Sequence, residues 1–253
     1  MKISNEVLKV LDEARVIDNK IYLRSGQLDR KTYLAVDKVL KAMGGKWNRK
    51  DGAHLFEAIP DLESVILTGE ITDKAKEFGF FETPRAIVSR LVGLADLYPG
   101  ITVLEPSAGR GAIMDGCSEV VGRGFVWGMD ILQENYDILS KKYRNVYKGD
   151  FLEVTHGNPF LEHGYHRVVM NPPFAKQADI DHVNHAWKFV RPGGKLVAVM
   201  SAWVTFRSNK TTTDFRDGVE RLGGELTPLP EGSFKESGTM VNTVVLVMDK
   251  DNE

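Results

Sequence analysis

The sequence predicts an α/β fold in which a doubly wound, mostly parallel sheet of seven strands follows a small basic α+β module. Three observations support this prediction. From about residue 77, short apolar segments alternate with helical patterns, acidic or glycine-rich residues follow several of these segments, and residues 20–50 carry nine Lys or Arg against Asp29 and Asp37. We therefore divide the chain into residues 1–75, the module, and residues 76–253, the sheet domain.

The module is predicted from one helix, one basic segment and one strand. Apolar side chains recur at helical spacing from Asp29 to Met43, and Gly44-Gly45 ends that helix. A basic turn is expected at residues 46–50, and His54-Leu55-Phe56 is typical of a short strand.

The basic turn combines positive charge with an aromatic ring, because Lys46, Arg49 and Lys50 surround Trp47. Phosphate groups attract Lys and Arg, and an exposed indole stacks on bases, so these four residues are candidate nucleic-acid contacts. A solvated charged surface is the alternative.

The sheet domain is predicted from seven short apolar segments. They are Thr102–Glu105, Phe125–Asp130, Val146–Lys148, Arg167–Met170, Lys195–Met200, Glu225–Leu229 and Val244–Met248. Helical patterns lie between them, with apolar positions from Ile87 to Tyr98 before the first strand and from Ile180 to Val190 before the fifth. Alternating elements of this kind form βαβ units with helices on both faces of the sheet.

Composition excludes several classes of protein. No stretch approaches the run of about 18 apolar residues that a membrane helix needs, and the amphipathic N-terminus lacks the apolar core of a signal peptide, so we expect a soluble cytoplasmic protein of a bacterium or phage-infected cell. Cys117 is the only cysteine, which excludes an internal disulfide and a multi-thiolate zinc site. The pairs His163/His166 and His182/His185 have helical spacing, but solvated or structural histidines are commoner than metal ligands, so no metal is expected.

Ligands of open α/β sheets bind beyond the carboxyl ends of the strands. The first strand ends at Glu105 and runs into a turn with Gly109 and Gly111, where the backbone can approach a ligand closely. The second ends at Asp130, a position where an acid commonly accepts hydrogen bonds from ribose. The third is followed by Asp150-Phe151, which offer one acceptor for an amino group and one aromatic surface for stacking. Each feature alone is also explained by a tight connection or a helix cap, but three acidic strand ends in succession favour a nucleotide-like ligand.

The most specific motif follows the fourth strand, where Val168-Val169-Met170 runs into Asn171-Pro172-Pro173-Phe174. Two prolines fix the backbone and remove two donors, so the turn presents carbonyl oxygens beside the amide of Asn171. Two acceptors can bind both hydrogens of an amino group, while the ring of Phe174 stacks on the base that carries it. A plain proline turn would explain the prolines without the polar residue before them and the aromatic residue after them.

On these motifs the chain resembles the class I S-adenosylmethionine-dependent methyltransferases, and within them the DNA adenine amino methyltransferases with an NPPF motif, over residues 78–248. The stretch Glu105–Gly111 is similar to the family's first cofactor motif, and Phe80–Pro84 is similar to a segment that lies against the methionine part of the cofactor. The resemblance implies a Rossmann-like sheet and binding of S-adenosyl-L-methionine. The implied cofactor-binding residues are Phe81, Thr83, Glu105, Ser107, Gly109, Gly111, Asp130, Ile131, Asp150, Phe151 and Asn171.

The resemblance also implies methylation of the exocyclic N6 amino group of adenine in DNA, with Asn171, Pro172 and Phe174 catalytic. A flipped base would stack on Phe174, and Phe234 is a candidate second wall of the base pocket. Arg207, in a Ser/Thr-rich stretch after the fifth strand, is a further candidate substrate contact, with an ordinary surface loop as the alternative.

The chain departs from the family in ending at its last predicted strand, where related enzymes often continue into a target-recognition domain. Sequence specificity is therefore expected to be short or relaxed, in a restriction-modification or anti-restriction setting typical of a phage or prophage. Methylation of an RNA base or a protein glutamine, and an inactive decoy that binds cofactor or DNA, are the alternatives. The oligomeric state, monomer or dimer, is left open.

Overall fold

The computed structural model describes residues 2–23, 28–56, 60, 62–70, 82–155, 164–237 and 239–252. The described strands form two sheets, one antiparallel with four strands and one mostly parallel with seven. The predicted boundary at residue 75 lies in the range 71–81, outside the described residues, so the division at that residue stays a prediction.

The described N-terminal elements are three helices and four short strands. They are α1 (Asn5–Asp12), β1 (Arg15–Ile17), β2 (Lys20–Tyr22), α2 (Arg30–Ala42), β3 (Lys46–Asn48), β4 (Ala53–Leu55) and α3 (Leu62–Thr68). The strands pair antiparallel in the order β1-β2-β4-β3. Helix α2 begins after Asp29, whose carboxylate accepts hydrogen bonds from the N–H groups of Lys31 and Thr32, and it ends before Gly44, whose φ of 91° suits glycine.

The prediction of a basic turn at residues 46–50 was wrong in its first half. Lys46–Asn48 is strand β3, which pairs with β4, and the hairpin turn begins only at Arg49. Strand β3 is short and largely exposed, so its composition resembles that of a turn. The hairpin β1–β2 is likewise absent from the prediction, because three-residue strands carry too little alternation to be recognised.

The seven-stranded sheet confirms the predicted fold class. Its strands are β5 (Val103–Glu105), β6 (Val126–Asp130), β7 (Val146–Lys148), β8 (Tyr165–Met170), β9 (Val190–Ser201), β10 (Glu225–Pro228) and β11 (Thr243–Asp249). They are arranged in the order β10-β11-β9-β8-β5-β6-β7, with β5 to β9 parallel and β10 and β11 antiparallel to their neighbours. Val190, which was predicted to continue a helix, begins β9 instead and pairs with Tyr165.

Among the described residues, α4 (Arg85–Leu94) precedes this sheet, and four α-helices connect its strands: α5 (Ala112–Val121), α6 (Gln133–Leu139), α7 (Ala178–Ala186) and α8 (Lys210–Arg221). The central strands are buried on both faces, as in segment 196–200 of β9, where every residue is buried. Among the described residues, no helix is long and apolar enough to cross a membrane.

The N-terminal helices pack directly against the sheet domain. The indole of Trp203, after β9, donates a hydrogen bond to the carbonyl oxygen of Asp12 at 3.3 Å, and the N–H of Asn242, before β11, donates to the Asp12 carboxylate at 3.0 Å. Arg207 forms an ion pair with Glu63 of α3 at 3.1 Å. Buried residues of α1, α2 and α3 belong to the same apolar core as residues of the large sheet.

Candidate active site

A cleft opens at the carboxyl ends of β5, β6, β7 and β8, and we call it the strand-end cleft. Its lining residues come from the segments that follow these four strands and from helix α7: Pro106, Ser107, Asp130, Ile131, Leu132, Gly149, Asp150, Phe151, Leu152, Asn171, Pro172, Pro173, Phe174 and His182. Strands β5 and β8 are neighbours in the sheet. From β5 the strand order continues through β6 to β7 on one side, and from β8 it continues to β9 on the other side. The strand-end cleft therefore lies at the topological switch point, where doubly wound sheets bind their ligands.

The glycine-rich turn after β5 is shaped by two left-handed residues. Gly109 has a φ of 55° and Gly111 a φ of 92°, conformations that side chains disfavour. A Cβ atom on Gly111 would also lie 2.8 Å from Cδ2 of Leu139. The turn thus needs glycine for its backbone and for the close approach of α6.

Asp130 is buried at the end of β6 and is held by three donors of the chain itself. Its Oδ2 accepts a hydrogen bond from the N–H of Gly109 at 2.8 Å, and its Oδ1 accepts from the N–H of Leu132 and from Nδ2 of Asn135. A carboxylate has about four acceptor sites, so this network fixes its orientation and still leaves capacity for a ligand. Asn135, which fixes the carboxylate from helix α6, was not among the predicted residues.

Glu105 lies beneath the cleft rather than on its wall. It is 2% exposed, and its Oε2 accepts a hydrogen bond from the N–H of Met114 in the first turn of α5. Burial raises the pKa of Glu105 well above its ordinary value, and the nearby carboxylate of Asp130 raises it further. Glu105 therefore contacts α5 and not the interior of the cleft, so the prediction that it lies at the binding surface needs correction.

Two exposed apolar side chains face the cleft beside its carboxylates. Ile131 is 44% exposed and Leu152 is 39% exposed, and each follows an acidic strand end. Asp150 lines the cleft, and its carboxylate also accepts a hydrogen bond from the N–H of Leu152 at 2.9 Å. Leu152 was missed in the sequence, although an apolar residue soon after an acidic strand end is a signal that could have found it.

The prediction that Phe151 offers a stacking surface needs correction. The ring is only 3% exposed, and it packs against Phe189 at 5.0 Å and His185 at 4.8 Å between ring centroids. These contacts occupy the ring because the segment after β7 folds onto helix α7. Phe151 thus reaches the cleft as part of its floor, while Leu152 presents the exposed apolar surface.

Asn171 follows β8 and is oriented by Thr83. Its Nδ2 donates a hydrogen bond to Oγ1 of Thr83 at 3.0 Å, and Thr83 is 8% exposed just before helix α4. Because Nδ2 is the donor in this contact, Oδ1 is the atom of the same amide that can accept. Pro172 and Pro173 line the cleft beside it, and Phe81, the other candidate of that preceding segment, lies outside the described residues.

Phe174 and Phe234 are brought together, as predicted for two walls of one pocket, but they contact each other. Phe174 is 1% exposed and Phe234 is fully buried, with ring centroids 6.4 Å apart in an edge-to-face arrangement at 81°. Phe234 lies on the segment between β10 and β11, where the hydroxyl of Ser237 donates to the carbonyl oxygen of Glu82. In this conformation neither ring presents a face to a base.

The backbone after Phe174 contains two adjacent left-handed residues that are not glycine. Lys176 has a φ of 55° and Gln177 a φ of 63°. Oε1 of Gln177 accepts hydrogen bonds from Nδ2 of Asn209 and Oγ1 of Thr212, which anchor the segment to the start of α8. Such conformations are costly and persist where surrounding contacts hold them, often at functional sites.

His182 lines the strand-end cleft, although no motif indicated it. Its Nδ1 lies 3.3 Å from Oγ of Ser107, so the pair joins helix α7 to the turn after β5. The neighbouring His185 pairs through Nε2 with the carbonyl oxygen of Val154 at 2.9 Å, and His166 contacts Thr102. In the part of the chain that the structure describes, no group of three or more His, Cys, Asp or Glu could hold a metal ion.

The candidate nucleic-acid contacts of the module lie on the β3–β4 hairpin, which we call the basic hairpin. Lys46, Trp47 and Arg49 line an open depression with Leu55 and Phe56. The indole of Trp47 is 45% exposed and packs edge-on against His54 at 5.1 Å, which fixes its orientation. Lys50 is exposed at the turn of the same hairpin.

Arg207 is placed differently from the other substrate candidates. Its guanidinium lies 4.3 Å from the ring centroid of Trp203 and is paired with Glu63. Its side chain is 22% exposed, so its contacts join helix α3 to the segment after β9. The sequence could not reveal this role because Glu63 is 144 residues away.

No protein-family model matches the chain. Among curated proteins, the modification methylase CviBIII of Paramecium bursaria Chlorella virus NC1A is 29% identical over 109 residues, which cover 40% of this chain and 27% of that methylase. The matched part thus spans about a quarter of the length of that relative.

Among solved structures, the methyltransferase subunit of a type I restriction-modification system from Streptococcus thermophilus superposes with a TM-score of 0.59 at 18% identity, covering 88% of this chain and 54% of that one. The M protein of the type I restriction enzyme EcoKI gives a TM-score of 0.55 at 17% identity, covering 96% of this chain and 56% of that one. At these identities the likeness establishes architecture, and the chain therefore has the Rossmann-like fold of these methyltransferase subunits, over about half of their length.

Proposed function

We propose that this chain transfers a methyl group from S-adenosyl-L-methionine to the exocyclic N6 amino group of adenine in DNA, with short or relaxed sequence specificity. The observation that carries the proposal is the strand-end cleft, in which the segment Asn171–Phe174 faces the acidic strand ends Asp130 and Asp150. The names of the modification methylase and of the restriction-modification subunits favour DNA as the polymer.

The cleft suits the proposed cofactor on its own chemistry. Asp130 offers a fixed carboxylate to ribose hydroxyls, and Asp150 offers a second carboxylate to an exocyclic amine. Between these acceptors, the exposed side chains of Ile131 and Leu152 provide apolar surface for a flat ring. When bound, S-adenosylmethionine would supply an activated methyl group.

The protein's part in the reaction is to position the amine and to favour the positive charge that develops on its nitrogen. Oδ1 of Asn171 and the carbonyl oxygen of Pro172 would each accept one hydrogen of the amino group, which directs the nitrogen lone pair away from both acceptors. Thr83 holds the Asn171 amide in the orientation that this requires. A base inside a duplex cannot reach such a cleft, so it would be flipped out and stacked on Phe174.

The basic hairpin is the proposed contact for the sugar–phosphate backbone. Lys46, Arg49 and Lys50 are exposed, and within the described residues none of them forms an ion pair. Helix α3 of the same module contacts the segment Ala175–Gln177, next to Phe174. The positive charge and the exposure of the hairpin side chains support this assignment.

The test is to incubate the protein with labelled S-adenosylmethionine and, in parallel, with duplex DNA, total RNA and protein, and to digest each labelled product. Label in N6-methyldeoxyadenosine is the expected result, and its absence would contradict the proposal. Label in RNA or in a protein glutamine would show that the same reaction acts on a different substrate. Binding of cofactor or DNA without any transfer would indicate the decoy.

A companion variant tests the assigned catalytic amide. Asn171→Ala should abolish transfer while leaving the affinity for S-adenosylhomocysteine, measured by calorimetry, within about threefold of the wild-type value. Loss of both transfer and binding would show that Asn171 serves mainly to hold the cofactor.

A further inference from the structure

His182 is a polar side chain of the strand-end cleft to which the proposed function assigns no role. It lies on α7, and Nδ1 pairs with Oγ of Ser107 on the turn after β5. Strands β5 and β8 are adjacent, so this pair spans the switch point between them. An imidazole in this place faces whatever ligand crosses the cleft.

The pairing with Ser107 determines which ring nitrogen can bind a ligand. Within the described part of the chain, Nε2 of His182 has no hydrogen-bond partner, whereas Nε2 of His185 one turn later is used by the carbonyl oxygen of Val154. If the Ser107 hydroxyl donates to Nδ1, the tautomer with a proton on Nε2 results, and that N–H is a donor toward the cleft. His182 therefore has the chemistry of a contact residue and His185 that of a structural one.

The charge of His182 depends on groups from each element packed around it. Asp181 and His185 lie on its own helix, Asp150 and Phe151 on the segment after β7, Ser107 on the turn after β5, and Asp130 lines the same cleft from the end of β6. Burial holds the pKa of His182 below its ordinary value, although the carboxylates of Asp150 and Asp181 oppose this shift. Burial therefore favours the neutral form of the imidazole.

We infer that His182 contacts the cofactor and makes cofactor binding sensitive to charge, so that protonation of its ring disfavours the cationic S-adenosylmethionine more than the uncharged thioether of S-adenosylhomocysteine. This inference rests on the proposed function, because it requires that the strand-end cleft binds this cofactor. A positive charge on His182 in a partly buried cleft repels the positive charge of the sulfonium, and a roughly tenfold loss of affinity is the order expected.

The test is calorimetric titration of the wild-type protein with S-adenosylmethionine and with S-adenosylhomocysteine at pH 8 and pH 5. The ratio of the two dissociation constants should rise roughly tenfold in favour of S-adenosylhomocysteine at the lower pH. A ratio that is the same at both pH values overturns the inference.

Two variants assign the effect to this ring. His182→Gln keeps a polar side chain for Ser107 and cannot be protonated, so its ratio should be flat between pH 5 and pH 8. His185→Gln is the matched control, because it removes a second histidine of the same helix that does not line the cleft, and its ratio should change as in the wild type. A pH-dependent ratio in His182→Gln would assign the effect to another group and overturn the proposal.

The same titrations separate this inference from the proposed function. If neither ligand binds at either pH, the proposed cofactor is wrong and the inference fails with it. If both bind with an unchanging ratio, the cofactor stands and only the role of His182 is lost. The wild-type measurement decides this even if His182→Gln fails to fold.

Discussion

The side chains of Asn171 and Thr83 are joined by a hydrogen bond of 3.0 Å between Nδ2 and Oγ1. This contact links the segment before α4 to the segment after β8, which are 88 residues apart in sequence. An amide that is held on its nitrogen side presents its oxygen in one direction. The orientation of the proposed acceptor atom therefore depends on a residue that itself lies outside the residues lining the strand-end cleft.

Removing the Thr83 hydroxyl should lower the rate of methyl transfer more than it weakens cofactor binding. A hydrogen bond of this kind contributes about 0.5–1.5 kcal/mol, so Thr83→Val should reduce kcat by roughly three- to tenfold through misorientation of Asn171. Thr83→Ser retains the hydroxyl and should restore most of kcat. Single-turnover rates and calorimetric binding of S-adenosylhomocysteine measure the two effects separately.

The contrary outcome would support the role that family resemblance assigns to Thr83. If Thr83→Val weakens binding of S-adenosylhomocysteine tenfold and leaves the single-turnover rate unchanged at saturation, Thr83 contacts the cofactor and does not position the amide.

The parallel strands were predictable because most of them are apolar segments that end in recognisable residues. Strand β7 was predicted at its observed bounds, and β5, β6 and β8 within two residues. Of the described N-terminal strands, only β4 was predicted, at residues 54–56 instead of the observed 53–55, since β1 to β4 have three residues each and their pairing is decided by tertiary contacts. The start of α7 after two left-handed residues, Lys176 and Gln177, has no sequence signal either.

The residues of the candidate site also fall into those that the sequence predicted and those that it did not. Asp130, Asp150 and Asn171 were found because they follow strands directly, and parallel strands bring their ends together. His182 was missed because its place in the cleft depends on the orientation of a helix. The mutual burial of Phe174 and Phe234 was also beyond the sequence, which placed both at one pocket without showing that they would contact each other.

Phe234 should form the second wall of the base pocket. Because Phe174 is 1% exposed and packs against Phe234, a flipped base would separate the two rings and contact both of them. Phe234→Leu shortens the wall of the pocket, so we expect KM for DNA to rise several-fold while binding of S-adenosylhomocysteine is unchanged. The loss of stability should be about 1 kcal/mol, which is a few degrees in Tm.

Phe215→Leu is the matched control for this substitution. Phe215 is a buried phenylalanine of α8 that does not line the strand-end cleft, so its replacement should lower Tm to a similar extent and leave KM for DNA unchanged. An equal rise of KM in both variants would show that general destabilisation, and not the pocket wall, causes the effect.

Neutralising the basic hairpin should weaken binding of DNA and reduce its salt dependence. Each phosphate contact contributes about 0.9 to the slope of log affinity against log salt for duplex DNA, so replacing Lys46, Arg49 and Lys50 by Ala should reduce the slope by about 2 to 3. Fluorescence anisotropy between 50 and 300 mM salt, on the order of physiological ionic strength, measures this slope.

A control with the same change of net charge is available on the sheet domain. Arg123, Lys141 and Lys188 are exposed outside the basic hairpin, and their replacement by Ala should leave the slope close to that of the wild type. An unchanged slope in the hairpin variant, or an equal decrease in both, would remove the basic hairpin from the interface.

The junction between the N-terminal helices and the sheet domain should make stability depend on pH through Asp12. Burial raises the pKa of this carboxyl to about 7, with a smaller contribution from Glu13, and the N–H of Asn242 opposes the shift. Asp179, beside the segment that follows Phe174, also has a pKa raised by burial to about 7. In the unfolded chain both groups titrate near the ordinary value for aspartate, about 3.9.

The sign of this pH dependence of stability follows from the number of protons that each state binds. Between about pH 4 and pH 7 the folded state binds more protons than the unfolded state, so the free energy of unfolding decreases as the pH rises through this range. For Asp12 alone the decrease is at most about 4 kcal/mol, from a shift of about three pKa units. Urea denaturation should therefore show a more stable protein at pH 5 than at pH 8.

Asp12→Asn removes one of the two titrating groups while keeping an oxygen that can accept from Asn242. The difference in unfolding free energy between pH 5 and pH 8 should shrink relative to the wild type, with most of the gain in stability at pH 8. Asp217→Asn, at an exposed position of α8, should leave that difference unchanged. If Asp12→Asn instead destabilises the protein equally at both pH values, the Asp12 carboxylate is ionised in the folded state, and the junction is held by its charge facing Arg207.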